Sequence, residues 1–391
     1  MVPLYALQRI DLYNWGRDKE SLPVQVQVQG KRCHDFENKD EKFGEVDLLL
    51  HTSHDERVTH YGLQGRSTNV VPITSESLTK KHSIFQDVMV KIIWREASRT
   101  SEPDILGKVK ETAEAHDTVK DHTPQLLWHH KFTNPTSVIQ EALGVPEPTT
   151  GSRVLYILVF RKLLPITQLH GKELFDVWRQ CISWVYHRDV SPGNLMWYWR
   201  NGKRIGVLND YDLSSLADDP GPRGNERTGT VPFMALDLLT KDDQQGTVKH
   251  LYRHDLESFM WVFAWICLRY RQGVLLRRLR PLDEWATSDA IACCKEKLDF
   301  LHNLTPFPPL DIDKLTWGVL VNCMLVLKRD ADNRYYLRFT SSSGESQQPN
   351  AEDSDLDAFL SKFTSLDHWV ELSKPEKFFI PCKRCSAHRY L

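Results

Sequence analysis

The sequence predicts an α+β chain, with a small strand-rich lobe followed by a larger helical one. Three observations carry this. Up to about residue 162 the apolar residues come in short runs and alternations, the pattern of strands. After Leu164 they recur at three and four residues, the pattern of helices. At 391 residues the chain has room for two such lobes.

The elements follow in order. Val24, Val26 and Val28 alternate with glutamines and predict one half-buried strand, and Val46 to Leu50 is a second short apolar run. From His60 to Trp94 the pattern is strand, glycine-bearing turn, strand, long polar loop, strand. Glu102 to His116 predicts a helix with Ile105, Leu106 and Val109 on one face. Leu126 to Trp128 and Val154 to Phe160 have the length of strands. Leu174, Trp178, Cys181 and Val185 then recur at helical spacing. Leu256, Met260, Phe263 and Cys267, with Trp261 and Trp265, make a helix apolar on most sides, which predicts burial. Leu315 to Leu327 is another apolar helix. Thr340 to Asp355, rich in Ser, Gln, Pro and acids, predicts a flexible loop. Leu356, Phe359, Leu360, Phe363 and Val370 fit one more amphipathic helix. The predicted organisation is an unassigned extension over 1–56, a strand-rich lobe over 57–162, a helical lobe over 163–373 with an insert at about 340–355, and a tail over 374–391.

Composition narrows the class. The formal net charge is −2, so bulk attraction to nucleic acid or an anionic membrane is not expected. No run of about 18 apolar residues is present, and Met1 to Leu12 has no apolar core of signal-peptide type. The eight cysteines are therefore expected as reduced thiols, in the cytosol or nucleus. Cys382, Cys385 and His388 lack a second pair of ligands nearby, so they are expected as incidental rather than as a zinc site. Cys293-Cys294 is expected in helix packing.

The chemistry concentrates in His187-Arg188-Asp189, Asn194 and Asp210-Tyr211-Asp212. Phosphoryl transfer needs a cation on the phosphates, a held Mg²⁺, and a carboxylate that orients the attacking hydroxyl. Asp189 supplies the carboxylate. Asn194 and Asp210 supply oxygen donors of the kind a hard cation takes. Lys91, in the otherwise apolar Val88-Met89-Val90-Lys91, supplies the phosphate cation. A buried lysine needs an anionic partner. Glu102 is preferred and Glu111, on the same predicted helix, is the alternative. Gly62 and Gly65 frame a turn that could cover phosphates with backbone N–H groups, with Val70 capping the adenine ring.

At these residues the sequence resembles the protein-kinase fold, and its wording is similar to the fungal-type protein kinase family. The stretches that carry this are KIIW, HRDVSPGNLM, GVLNDYDLSS, RTGTVPFMALDLL and RHDLESFMWVFAWI. The resemblance, over roughly Gly62 to Val370, implies a two-lobed fold with ATP and Mg²⁺ between the lobes. It implies a protein serine/threonine kinase that takes protein substrates, with neither nucleic acid nor membrane as partner and no indication of oligomeric state. It also implies an ion pair between Asp237 and Arg334, and that Asp255 braces the catalytic loop. Arg188 beside Asp189 implies control by a phosphate, with Ser214, Ser215 and Thr228 as candidate acceptors.

The sequence also departs from the pattern. Ser191 stands where such kinases carry lysine, which keeps open a small-molecule phosphotransferase of the aminoglycoside or choline type. Tyr211-Asp212 replaces Phe-Gly, and Thr68 replaces the third glycine of the loop. Only about 15 residues, Lys172 to Tyr186, precede the His-Arg-Asp loop, a helix of about 22 Å against about 30 Å expected. Losing those apolar turns predicts weakened packing, and this keeps open a catalytically impaired nucleotide-binding scaffold.

Overall fold

The computed structural model describes residues 24–27, 46–51, 58–59, 68–82, 88–115, 121–133, 135–147, 149, 151–182, 187–214, 229–241, 248, 250–278, 280–305, 309 and 311–340. The chain divides into two compact units. The first holds residues up to Leu106 together with Pro124–Lys162, and the second holds Gly107–Thr123 and everything from Leu163 onward.

The first unit is built on an antiparallel sheet. Its strands are β1 (Val24–Gln27), β2 (Asp47–Leu50), β3 (Val58–Thr59), β4 (Asn69–Thr74), β5 (Val88–Glu96), β6 (Leu126–Lys131) and β7 (Arg153–Arg161). The spatial order is β1-β2-β4-β5-β7-β6, with β3 paired to β4. Short helices α1 (Glu76–His82) and α3 (Thr136–Ala142) belong to this unit. The helix between them in sequence, α2 (Glu102–Ala115), opens in it and continues past the division at Gly107. Val71, Ile73, Val90 and Val159 from the central strands, with Leu48 and Leu50 of β2, form one apolar cluster. Removing such side chains from water is the main favourable term in this unit.

Helix α1 corrects an expectation. Its residues were predicted as part of a long polar loop, because only Leu78 is apolar among them. Leu78 is buried in the sheet's cluster, and its N–H donates to the Ser75 hydroxyl. One buried anchor and one cap suffice where periodicity is silent.

The second unit holds a small sheet, β8 (Leu164–Pro165), β9 (Leu195–Arg200) and β10 (Lys203–Leu208), in the order β10-β9-β8. Its helices are α4 (Gly171–Cys181), α5 (Tyr252–Arg269), α6 (Asp283–Thr287), α7 (Ala290–His302) and α8 (Lys314–Thr340). A hairpin of β11 (Tyr270–Arg271) and β12 (Val274–Leu275) follows α5. The predicted all-round burial of α5 holds: Leu256, Met260, Trp261 and Phe263 are fully buried. Helix α8 runs well beyond the predicted Leu327. Its apolar periodicity stops there, but the polar continuation is rich in helix formers. The predicted loop at 340–355, the amphipathic segment after it and the Cys382, Cys385, His388 cluster lie outside the described residues.

Helix α4 is shorter than predicted. It spans 11 residues and ends where Ile182 turns extended. Residues 183–186 lie outside the described residues. The packing is nonetheless present, because Leu174, Phe175, Val177, Trp178 and Cys181 are all buried. Trp178 donates its indole N–H to the Phe259 carbonyl at 2.9 Å and sits 4.8 Å from the Phe263 ring.

Helix α4 lies close to β10 because residue 206 is glycine. A Cβ on Gly206 would meet the Val177 carbonyl oxygen at 2.5 Å, Gln180 Cβ at 3.0 Å and Cys181 Sγ at 3.2 Å. The Gly206 N–H donates to Gln180 Oε1 at 3.0 Å. Gly206→Ala is expected to push α4 off the hairpin and lower unfolding stability by about 2 kcal/mol, read from denaturant unfolding. An unchanged midpoint would show that the helix shifts freely.

No helix among the described residues is long and apolar enough to cross a membrane. Cys181, Cys267, Cys293, Cys294 and Cys323 are free thiols. On α7, Cys293 is fully buried in the packing and Cys294 is half-buried.

Candidate functional site

In the first unit the central strand β5 carries Lys91 between Val70 of β4 and Leu158 of β7. An ammonium in that setting is stable only with an anion beside it. Glu102, the first residue of α2, supplies it: Lys91 Nζ donates to Glu102 Oε2 at 2.7 Å, and both residues are buried. Glu111 is exposed. The structure therefore pairs Lys91 with Glu102. Gly62 and Gly65 lie outside the described residues, and Val70 is half-buried on β4.

In the second unit the β9–β10 hairpin gathers the acidic residues. Antiparallel pairing of Leu195 with Leu208 brings the residues just before β9 and just after β10 to one end. The Asn209 N–H donates to the Asn194 carbonyl at 2.8 Å, which places Asn194 and Asp210 together at that end. The Asn194 side-chain Nδ2 donates to the Asp189 carbonyl at 2.8 Å, which leaves the amide oxygen out of that bond. The Asp189 carboxylate accepts the Thr230 hydroxyl at 2.8 Å. Asp189, Asn194 and Asp210 thus form one cluster.

The loop carrying Asp189 is fixed from below. Asp255, fully buried on α5, accepts the His187 N–H at 2.7 Å and the Arg188 N–H at 3.1 Å. His250 Nε2 lies 2.9 Å from the same carboxylate. Burial opposes charge on Asp255, but His250, His187 and the Arg188 N–H outweigh it and hold the carboxyl below its ordinary range. The His187 ring bonds the Asn209 carbonyl at 2.8 Å and meets Tyr211 edge to face. Arg188 and Asp210 have φ of +67° and +63°, left-handed conformations that non-glycine residues adopt only when the surroundings hold them. One of these positions adjoins Asp189 and the other is Asp210 itself.

Ser214 departs from its expected role. It is buried, and its hydroxyl donates to the His187 carbonyl, so it is a brace of the loop rather than an accessible acceptor. Ser215 and Thr228 lie outside the described residues.

The segment from Gly229 to Leu239 lies against the loop. A Cβ on Gly229 would meet the Arg188 carbonyl oxygen at 3.1 Å and Met234 Cε at 2.7 Å, and its φ of +144° suits glycine alone. Within the segment, Asp237 lies 3.0 Å from Arg253 and 3.6 Å from Arg334. The ion pair read from the sequence is present. Arg334 also reaches Glu257 at 3.4 Å and Asp330 at 2.7 Å. Burial raises the Asp237 carboxyl, but His254, its Nε2 3.8 Å away, and the two arginines prevail and hold it far below its usual range.

The sequence reading missed Glu257 and Lys297. Glu257 accepts the Leu236 N–H at 2.8 Å and the Trp261 indole N–H at 3.0 Å. Lys297, fully buried on α7, donates to the Met234 carbonyl at 2.6 Å, with its ammonium 4.7 Å from the Trp261 ring centre. A lysine one turn beyond two cysteines on an amphipathic helix carries no signal that it faces inward. Burial lowers its pKa to about 8. Between that value and its unfolded value of about 10.5 the unfolded chain binds more protons, so folding stability rises with pH across this window. The stability gap between wild type and Lys297→Met is expected to shift in favour of wild type between pH 7.5 and pH 10, by on the order of 3 kcal/mol at full effect. A pH-independent gap would mean Lys297 titrates normally.

The donor set suits Mg²⁺, which commonly takes one or two protein oxygens and fills its shell with water and phosphate oxygens. Among the described residues no group of three or more His, Cys, Asp or Glu side chains forms a metal cage. Asn194 and Asp210 fit the kind of site that water and phosphate oxygens complete.

Residues 178–267 match the model of a family described as fungal protein kinase. Four of the five stretches that carried the resemblance fall inside the match, and KIIW, around Lys91, falls outside it. No curated protein matches the chain.

Proposed function

We propose, from the match of residues 178–267 to a fungal protein kinase family, that the chain is an ATP- and Mg²⁺-dependent protein kinase acting on Ser and Thr hydroxyls. The observation that carries this is the cluster of Asp189, Asn194 and Asp210 at one end of the β9–β10 hairpin, on a loop anchored to the buried Asp255. In this reading Asp189 accepts a hydrogen bond from the attacking hydroxyl and orients its oxygen at the phosphorus. Asn194 and Asp210 would hold Mg²⁺, which supplies neutralising charge on the phosphates. Lys91 positions the α- and β-phosphates and Glu102 holds the ammonium in place. Arg188 keeps Asp189 at its angle through the strained backbone. Gly62, Gly65 and Val70 would cover the nucleotide. The free thiols fit a reducing compartment, the cytosol or nucleus.

A second reading is a nucleotide-binding scaffold without turnover, which the 11-residue α4 favours. One experiment separates the two. Purified protein is incubated with labelled Mg-ATP and protein or Ser/Thr peptide substrates, with Asp189→Asn as control. Transfer that the variant lacks supports the kinase. Nucleotide binding without transfer, unchanged by the variant, supports the scaffold. Transfer to an aminoglycoside or choline but to no protein would replace the proposed substrate class.

A further inference from the structure

The carboxylate that anchors the proposed catalytic loop has a partner that neither the motifs nor the family match assigns. His250 lies just before α5, its Nε2 2.9 Å from Asp255 Oδ1. Asp255 is fully buried, and it also accepts from two backbone donors, the His187 N–H and the Arg188 N–H. A carboxylate so placed keeps its orientation only while its donors are present. Two donors belong to the loop that is being held. The third, His250, lies outside that loop. The His250 ring also meets the His254 ring edge to face at 5.4 Å, and His254 Nε2 lies 3.8 Å from Asp237 Oδ2. The ring therefore touches both a carboxylate and a second imidazole.

We propose that His250 is a positioning residue for the reaction: it orients Asp255 so that the loop holds Arg188 at positive φ and Asp189 in line. This rests on the reading of Asp189 as the hydroxyl-orienting group. A glutamine can place a side-chain N–H near the position of Nε2, and a leucine cannot. The geometry therefore predicts a loss that one substitution causes and the other repairs.

The full chain is compared as wild type, His250→Leu and His250→Gln. Hydrogen exchange is followed in the segment His187–Asn194 and in Phe259–Phe263 of α5, and turnover is measured with Mg-ATP and a Ser/Thr peptide library. His250→Leu is expected to speed exchange in the loop and lower kcat, each by about tenfold or more, with KM for ATP nearly unchanged and α5 protection intact. His250→Gln is expected to recover most of both. If His250→Leu does not fold, His250→Asn, whose amide is too short to reach, replaces it. Unchanged loop exchange, or a glutamine variant no better than leucine or asparagine, overturns the proposal. If the wild type transfers no phosphate, the exchange measurement still decides the positioning of the loop, and the reading of Asp189 falls separately.

Discussion

Asp189→Asn is expected to lower phosphate transfer by at least about a hundredfold while leaving the fold unchanged. The substitution keeps the side chain's shape and one oxygen able to accept the Thr230 hydroxyl, now at 2.8 Å from Asp189 Oδ1. The loop's main anchor is the backbone of His187 and Arg188 on Asp255, which the substitution does not touch. What disappears is the negative charge that draws the proton of the attacking hydroxyl. Thermal stability and its increase with Mg-ATP should therefore match wild type, and only turnover should fall. Equal turnover in the two proteins would remove Asp189 from the mechanism, and equal absence would favour the scaffold.

The second large effect concerns Lys91. Lys91→Met leaves Glu102 buried without its ammonium, and stranding one partner of a buried pair costs about 3–5 kcal/mol. The prediction is a marked loss of stability together with loss of transfer. The double variant Lys91→Met with Glu102→Leu removes both charges and is expected to regain most of the stability, because apolar replacement of a buried pair is often neutral or better. It should still transfer no phosphate. Denaturant unfolding and turnover on the same samples separate these effects. Restored turnover in the double variant would make the pair purely structural.

Several features were readable from the chain because they are local. Asp189 and Asn194 sit five residues apart on one loop, and Asp210 follows a strand that the sequence marks as apolar. The apolar runs of strand length in β5 and β7 marked the sheet, and the apolar surround of α5 marked its burial. The Asp237–Arg334 pair was legible only through resemblance, since those residues are far apart in sequence. Other features left no local trace. Helix α1 has a single apolar anchor, so no period announces it. Lys297 and Glu257 read as ordinary helix-surface charges until their neighbours are known. Ser214 reads as an accessible hydroxyl until its burial is seen.

By itself the sequence determined the residue types that phosphoryl transfer needs, their order, and the segment that matches a kinase family. These depend on short spacings, which a chain carries whether or not it is folded. Only the tertiary structure decided that Glu102 rather than Glu111 meets Lys91, that Gly206 lets α4 close on β10, and that His250 meets Asp255, the brace that the resemblance implies. Each of these is a packing or electrostatic choice set by which groups lose water together. Such a choice does not exist until the chain has brought distant residues into contact.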